Sequence, residues 1–284
     1  MLKNHIIVGN GKWAKKILFF LKKYKVAEQI VVISKKKKFI FYPKYKKLDK
    51  WEFKKYLNKS QTAHICSSTK THLKYCNYFL KLNIKFIVEK PIVNSSEEFK
   101  KIKFVNKSKY LVNYIDLFNY DFNKINRLLN KYKNEKINLD IVYSNNFKKY
   151  KIKNQIFKEW LDHPLSIILF TKKKYTSFKI RNLEINKDRK ARYTENLEVE
   201  YKFKKIKIKF LITNSLKKQR LIKIQTLNKK YYFNLGKNIN FKKSSFYRLY
   251  RNLKYIDNSK FKFCSTFHQK VLIEKEKILN LINK

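Results

Sequence analysis

Short apolar runs alternate with helically spaced apolar residues through the first hundred positions of the chain. His5-Ile6-Ile7-Val8 reads as a short buried strand, and after it Trp13, Ile17, Phe20 and Leu21 recur at helical spacing over 12–24. Residues 30–33 predict a second strand ending at Ser34. Residues 63–66 predict a third, ending in Ser67-Ser68-Thr69. A helix is predicted over 71–81, with Leu73, Cys76, Tyr78, Phe79 and Leu80 on its apolar side. Residues 84–88 form a further strand that runs into Glu89-Lys90-Pro91, and 110–114 one more. Ser95-Ser96-Glu97-Glu98 between them is a helix start, a capping serine followed by acids in the first turn. Alternation of this kind implies a parallel, doubly wound sheet.

The pattern changes after residue 114. Residues 121–132 read as one amphipathic helix, followed by strand-type runs at 137–144, 177–185, 196–213 and 220–235. A helical segment over 156–170 separates the first two runs. Residues 265–282 close the chain as a helix, with Phe267, Val271, Ile278 and Ile282 on one side. Long alternating runs joined by short turns predict a mostly antiparallel sheet. The expected organisation is an α/β domain over 1–113 and an α+β domain with a C-terminal helix over 114–284.

Composition alters this picture in one respect. The formal net charge is +50, a value that would ordinarily point to nucleic acid or an anionic membrane. Only seven of the 70 basic residues are arginine, and the lysines are spread along the whole chain. Bidentate reading of phosphate and guanine prefers arginine. The lysine excess accompanies abundant Asn, Ile, Phe and Tyr and only 3 Gly and 3 Pro, as an A/T-rich coding sequence would favour. The charge therefore reads as compositional, and specific nucleic-acid binding is not expected. No apolar run approaches 18 residues, so no membrane span is expected. Cys66, Cys76 and Cys264 give neither a metal spacing nor a disulfide framework, which suits a reducing cytoplasm; no metal site is expected.

Gly9-Asn10-Gly11-Lys12-Trp13-Ala14 fits G-x-G-x-x-G/A, directly after a strand and before a helix. In such a turn the first glycine permits the tight bend and the second lets backbone approach a pyrophosphate. Ala14 permits close helix–sheet packing. The phosphates then rest on the helix N-terminus, where N–H groups and the dipole favour anions. A plain structural turn is the competing reading. It is disfavoured because two of the chain's three glycines fall here. An NAD site usually has Asp or Glu at the end of the second strand. Here Ser34 is followed by Lys35 and three further lysines, a hydroxyl and ammonium set that suits a 2′-phosphate, so NADP is expected, with NAD possible. Ser67, Ser68 and Thr69 stand where hydroxyls and amides would line the nicotinamide ribose, though they also serve as plain helix caps. His72, one turn into that helix, reads either as a cofactor-side residue or as a structural hydrogen-bonder.

These blocks together, with Val88-Glu89-Lys90-Pro91 and Ser96-Glu97-Glu98 after them, resemble the Gfo/Idh/MocA oxidoreductases, relatives of glucose–fructose oxidoreductase and inositol dehydrogenase. The resemblance covers about the first 115 residues and runs on more loosely through 114–122 and 220–235. It implies a Rossmann-type domain, a second domain whose sheet often pairs with another copy, and a nicotinamide-dependent enzyme for a sugar, cyclitol or sugar nucleotide. It places Glu89 and Lys90 beside the cofactor, with Lys90 on the reacting oxygen. Family members often carry Asp-x-x-x-His near a helix start in the second domain. The match here is Glu159-Trp160-Leu161-Asp162-His163, with glutamate where the aspartate usually stands. His163 is then the proton-transfer group, since imidazole titrates near neutrality, and Glu159 or Asp162 orients it. The expected chemistry brings Lys90 and His163 to one substrate oxygen. Two other classes compete: a relative that binds cofactor without turnover, and a polyanion-binding protein driven by charge.

Overall fold

Five apolar segments of the N-terminal part lie side by side as parallel strands: β1 (Asn4–Val8), β2 (Gln29–Ile33), β3 (Gln61–Ile65), β4 (Lys85–Val88) and β5 (Tyr110–Val112). Their order in the sheet is β2-β1-β3-β4-β5. The computed structural model describes residues 4–23, 27, 29–34, 61–101, 110–144, 150–171, 175–236, 245, 247–249 and 265–283. The chain divides into two compact units, Met1–Asn113 with Tyr250–Leu272, and Tyr114–Leu249 with Ile273–Lys284.

In the first unit the strands read as continuous apolar runs because both faces of a parallel sheet are covered. Ile6, Ile7, Val8, Ala63, Ile65, Phe86, Ile87, Val88, Leu111 and Val112 are all buried. Helix α1 (Lys12–Lys23) buries Ala14, Ile17, Phe20 and Leu21, and α2 (Thr69–Lys81) buries His72, Cys76 and Phe79. The helix start predicted at Ser95 is α3 (Ser96–Lys100), whose Glu98 N–H donates to Ser95 Oγ at 3.1 Å.

The register of this sheet is even. Ile33, Val8, Ile65, Val88 and Val112 form one row across it. One residue further on, each strand is tied to the next. The N–H of Gly9 donates to Ile33 O, Cys66 to Val8 O, Glu89 to Ile65 O and Asn113 to Val88 O, all at 2.8–2.9 Å. Every loop after these strands therefore starts from the same edge.

In the second unit a 3₁₀ turn (Ile115–Phe118) precedes α4 (Tyr120–Lys131), whose first N–H groups are capped by Asn119. The sheet comprises β6 (Ile137–Ser144), β7 (Ser177–Lys187), β8 (Tyr193–Phe203), β9 (Ile206–Thr213), β10 (Gln219–Gln225) and β11 (Lys230–Asn234), in the order β11-β10-β6-β9-β8-β7. Only β6 and β9 pair in parallel. Leu139, Ile141, Tyr143, Leu197, Val199, Tyr201, Ile208, Phe210, Ile212, Ile222 and Ile224 alternate onto one buried face. The opposite face is polar. There Glu200 takes Arg181 in a fork at 2.7 and 2.9 Å and Lys207 at 3.0 Å. Lys209 lies 3.7 Å from Glu198 and Lys223 3.9 Å from Asp140.

The structure divides three segments that the sequence pattern joins. The run at 196–213 is a hairpin, β8 and β9, turning at Lys204-Lys205 between the paired Phe203 and Ile206. Two lysines carry no turn signature, so the bend is invisible in the pattern. The run at 220–235 is likewise β10 and β11, joined between Gln225 and Lys230. The helical segment at 156–170 is α5 (Gln155–Trp160) and α6 (Asp162–Thr171). Pro164 has no N–H to give to Trp160, which interrupts the ladder at the break. The closing helix α7 spans Ser265–Ile282. Among the described residues no helix is long and apolar enough to cross a membrane.

Candidate functional site

The carboxyl edge of the parallel sheet gathers most of the residues that sequence reasoning selected. Gly9 follows β1 at φ +111°, and a Cβ there would stand 2.7 Å from Cys66 O and 2.8 Å from Ser67 N. Only glycine fits where the β1 turn crosses the end of β3. Gly11 differs: a Cβ there would meet nothing within 4 Å. It sits exposed at the start of α1, where Lys15 N donates to its carbonyl at 3.1 Å. Asn10, Lys12 and Trp13 surround this opening, and Ala14 is buried against the sheet. Ser34 follows β2 on the same edge and is partly exposed; Lys35 lies outside the described residues.

Beyond β3, Ser67 and Ser68 precede α2, and Thr69 is its first residue. Thr71 Oγ1 donates to Ser67 Oγ at 2.7 Å, so that hydroxyl is held by the helix it introduces. His72 is buried with both ring nitrogens 2.9 Å from carbonyl oxygens, Nδ1 from Pro91 O and Nε2 from Ser67 O. Burial pushes its pKa down, partly offset by those two carbonyls. Its nitrogens are thus directed at backbone. The ring fastens the loop after β3 to the loop after β4, which fixes Pro91 beside Lys90.

Glu89 and Lys90 follow β4. Glu89 is only 8% exposed and accepts a 2.6 Å hydrogen bond from Asn113 Nδ2. Burial pushes its carboxyl pKa up to about 7, against the opposing pull of Asn113, Lys90 and Lys16. Lys90 is partly exposed, and its bond to Pro91 is cis. The raised Glu89 pKa has a measurable consequence. Between the ordinary glutamate value and about pH 7 the folded chain holds a proton that the unfolded chain has released. That stabilisation is complete below the unfolded pKa and is lost as pH rises through 7. The loss is on the order of 3 kcal/mol. Urea unfolding at pH 5 and pH 8 is expected to show wild type losing stability relative to Glu89→Gln; parallel pH dependences would refute the assignment.

The second unit holds a separate cluster around His163, the second residue of α6. Its Nδ1 lies 2.5 Å from Asp116 Oδ2, on the 3₁₀ turn. Tyr143 on β6 donates its hydroxyl to that same oxygen at 2.9 Å, and Arg220 on β10 donates from Nη1 to Oδ1 at 3.0 Å. The Tyr143 ring stacks on the His163 ring at 5.2 Å and 21°, with Trp160 edge-on to both. Burial acts to raise the Asp116 pKa. The charges of Arg220 and His163, and the hydrogen bonds from His163 and Tyr143, outweigh it and hold the carboxyl well below the usual range.

The two acids expected to orient His163 are engaged elsewhere. Glu159 accepts from Tyr150 OH at 2.7 Å and from Gln155 Nε2 at 3.1 Å. Asp162 is fully buried and takes Lys275 Nζ of α7 at 3.0 Å. Sequence reasoning missed Asp116, Tyr143 and Arg220. One local signal existed: Asp116 is the lone charge inside the apolar Ile115-Asp116-Leu117-Phe118, which marks a buried acid in need of partners.

A five-stranded parallel sheet with a glycine turn at the crevice between β1 and β3 defines a Rossmann-type domain. Residues 3–116 match the family model described as "Oxidoreductase family, NAD-binding Rossmann fold", GFO_IDH_MocA. No curated protein sequence matches the chain. Solved structures resemble it over nearly its full length. A myo-inositol dehydrogenase from Corynebacterium glutamicum superposes with a TM-score of 0.78 at 12% identity, over 99% of this chain and 96% of that one. A dehydrogenase from Clostridium difficile gives 0.74 at 16%, over 98% and 99%. A Gfo/Idh/MocA family oxidoreductase from Vibrio cholerae gives 0.73 at 12%, over 99% and 100%. At these identities the likeness is one of fold.

Proposed function

We propose that this chain is a nicotinamide-dependent oxidoreductase that prefers NADP to NAD and acts on a carbinol or carbonyl of a sugar, cyclitol or sugar nucleotide. The observation that carries this reading is the shared row of strand ends, which starts the Gly9–Gly11 turn and the Glu89-Lys90 pair from one edge. The chain's residues fit a dinucleotide: Gly11 leaves room where any side chain would stand, and α1 presents its N-terminus beside it. Gly9 to Ala14 would hold the pyrophosphate, Ser34 the adenosine ribose with its 2′-phosphate, and Ser67 to Thr69 the nicotinamide side. When bound, the nicotinamide supplies the two-electron redox chemistry. Lys90 holds the reacting oxygen and stabilises its developing negative charge. His163 takes or returns the hydroxyl proton through Nε2, the nitrogen that Asp116 does not engage. The inositol dehydrogenase of the same fold supports a polyhydroxylated substrate. The free thiols of Cys66 and Cys76 suit a reducing compartment; Cys264 lies outside the described residues.

Titration with NADPH and with NADH, read by nicotinamide fluorescence, tests the cofactor reading. NADPH is expected to bind more tightly. Gly11→Val is expected to abolish binding of both with little change in melting temperature, because its branched side chain fills ligand space and its Cβ meets nothing within 4 Å beyond its chain neighbours. Ser34→Asp is expected to shift preference toward NADH by repelling the 2′-phosphate. Tighter wild-type binding of NADH would overturn the choice of NADP, and unchanged binding in Gly11→Val would overturn the site. A panel of myo-inositol and nucleotide sugars then identifies the substrate class.

A further inference from the structure

We propose that Asp116, and not an acid of the α5–α6 segment, is the positioning residue for His163: it fixes which ring nitrogen carries the proton and so which one works as base. The inference rests on the reading of His163 as the proton-transfer group.

A histidine can serve as base only from a nitrogen that lacks a proton, and a carboxylate on the other nitrogen selects that tautomer. Asp116 Oδ2 accepts from His163 Nδ1 at 2.5 Å, which assigns the lone pair to Nε2. The carboxylate is itself held from two strands, β10 and β6. Arg220 neutralises it through Oδ1, and Tyr143 donates to Oδ2. It is 3% exposed, so water does not compete for it. The ring plane is set as well, since Tyr143 stacks on its face and Trp160 abuts its edge. Among the described residues, the charged and titratable groups around the pair include Arg220 from β10, Tyr143 from β6 and the neighbouring Asp162, itself paired with Lys275 from α7. Glu159, four residues before His163, is bonded to Tyr150 and to Gln155. The 3₁₀ turn has supplied the acid that the helical motif supplies elsewhere.

The test reads the imidazole directly. With five histidines in the chain, ¹⁵N-histidine labelling gives few resonances, and loss of a signal in His163→Gln assigns the one of interest. In wild type the neutral ring is expected as the Nδ1–H tautomer. In Asp116→Asn its titration midpoint is expected to fall by about one pH unit or more, because the charge that favoured imidazolium is gone. Glu159→Gln is expected to leave midpoint and tautomer unchanged. Should Asp116→Asn fold poorly, the wild-type tautomer and the Glu159→Gln titration still decide. An Nε2–H tautomer in wild type, an unmoved midpoint in Asp116→Asn, or a shift in Glu159→Gln would each overturn the proposal. Turnover of His163→Ala on the substrate panel separates the two readings. Unimpaired turnover would remove the proton-transfer role while leaving the titration result standing.

Discussion

Lys90→Ala is expected to lower turnover by about 10²–10³-fold while leaving NADPH affinity nearly unchanged. Lys90 begins its loop one residue past the bond from Glu89 N to Ile65 O, and Pro91 is held by the buried ring of His72. Neither restraint involves the lysine side chain, so both backbone holds remain in the alanine variant while the ammonium and its stem are removed. A point charge beside a developing alkoxide is worth far more in the transition state than in the ground state. The loss should therefore fall on turnover. The turn at Gly9–Gly11, proposed above to hold the phosphates, is a different loop and is expected to keep the cofactor. Steady-state kinetics with NADPH and the best substrate of the panel, beside a fluorescence titration, separate the two quantities. A parallel fall in cofactor affinity would make Lys90 a cofactor-binding residue and remove it from the chemistry.

His163→Ala is the second large effect. General acid–base catalysis contributes roughly 10²–10⁴-fold, and that range is the expected loss in turnover. The pH–rate profile supplies the diagnostic. Wild type is expected to show a limb near neutrality that vanishes in His163→Ala, because alanine has nothing to titrate. Asp116 is not expected to take over that limb, since the charge of Arg220 and the bond from Tyr143, both still present in the variant, favour its ionised form. Glu89, with its pKa near 7, is the other group in this window, so Glu89→Gln is the necessary companion measurement. A profile that keeps its neutral limb in His163→Ala and loses it in Glu89→Gln would transfer the proton role to Glu89.

Much of the first unit was legible because its signals are local. The strand–turn–helix around Gly9 and the capped start at Ser95 each depend on residues a few positions apart, and their elements fall within a residue or two of expectation. The seam at Lys204-Lys205 was not, because a chain with 3 glycines and 3 prolines makes turns from residues that carry no turn preference. The helix break at Leu161 had a signal in Pro164, three residues late. The cluster around His163 was illegible for another reason. Asp116 lies 47 positions from His163, and Arg220 lies 104 from Asp116. Contacts made by the pairing of distant strands have no period or spacing to betray them. The Glu159 expectation came from a local spacing, and in the fold that acid accepts from Tyr150 and Gln155.

The staircase of backbone bonds at the end of the first sheet also bears on how such a sequence tolerates drift. A bond from Cys66 N to Val8 O does not depend on what side chain either residue carries. The frame of the site is thus blind to composition. Mutational pressure can exchange surface side chains for lysine, asparagine or isoleucine without moving the points from which the loops depart. Resistance is confined to the few positions where the frame itself leaves no room, and Gly9, with the Cys66 carbonyl oxygen 2.7 Å from its missing Cβ, is one of them.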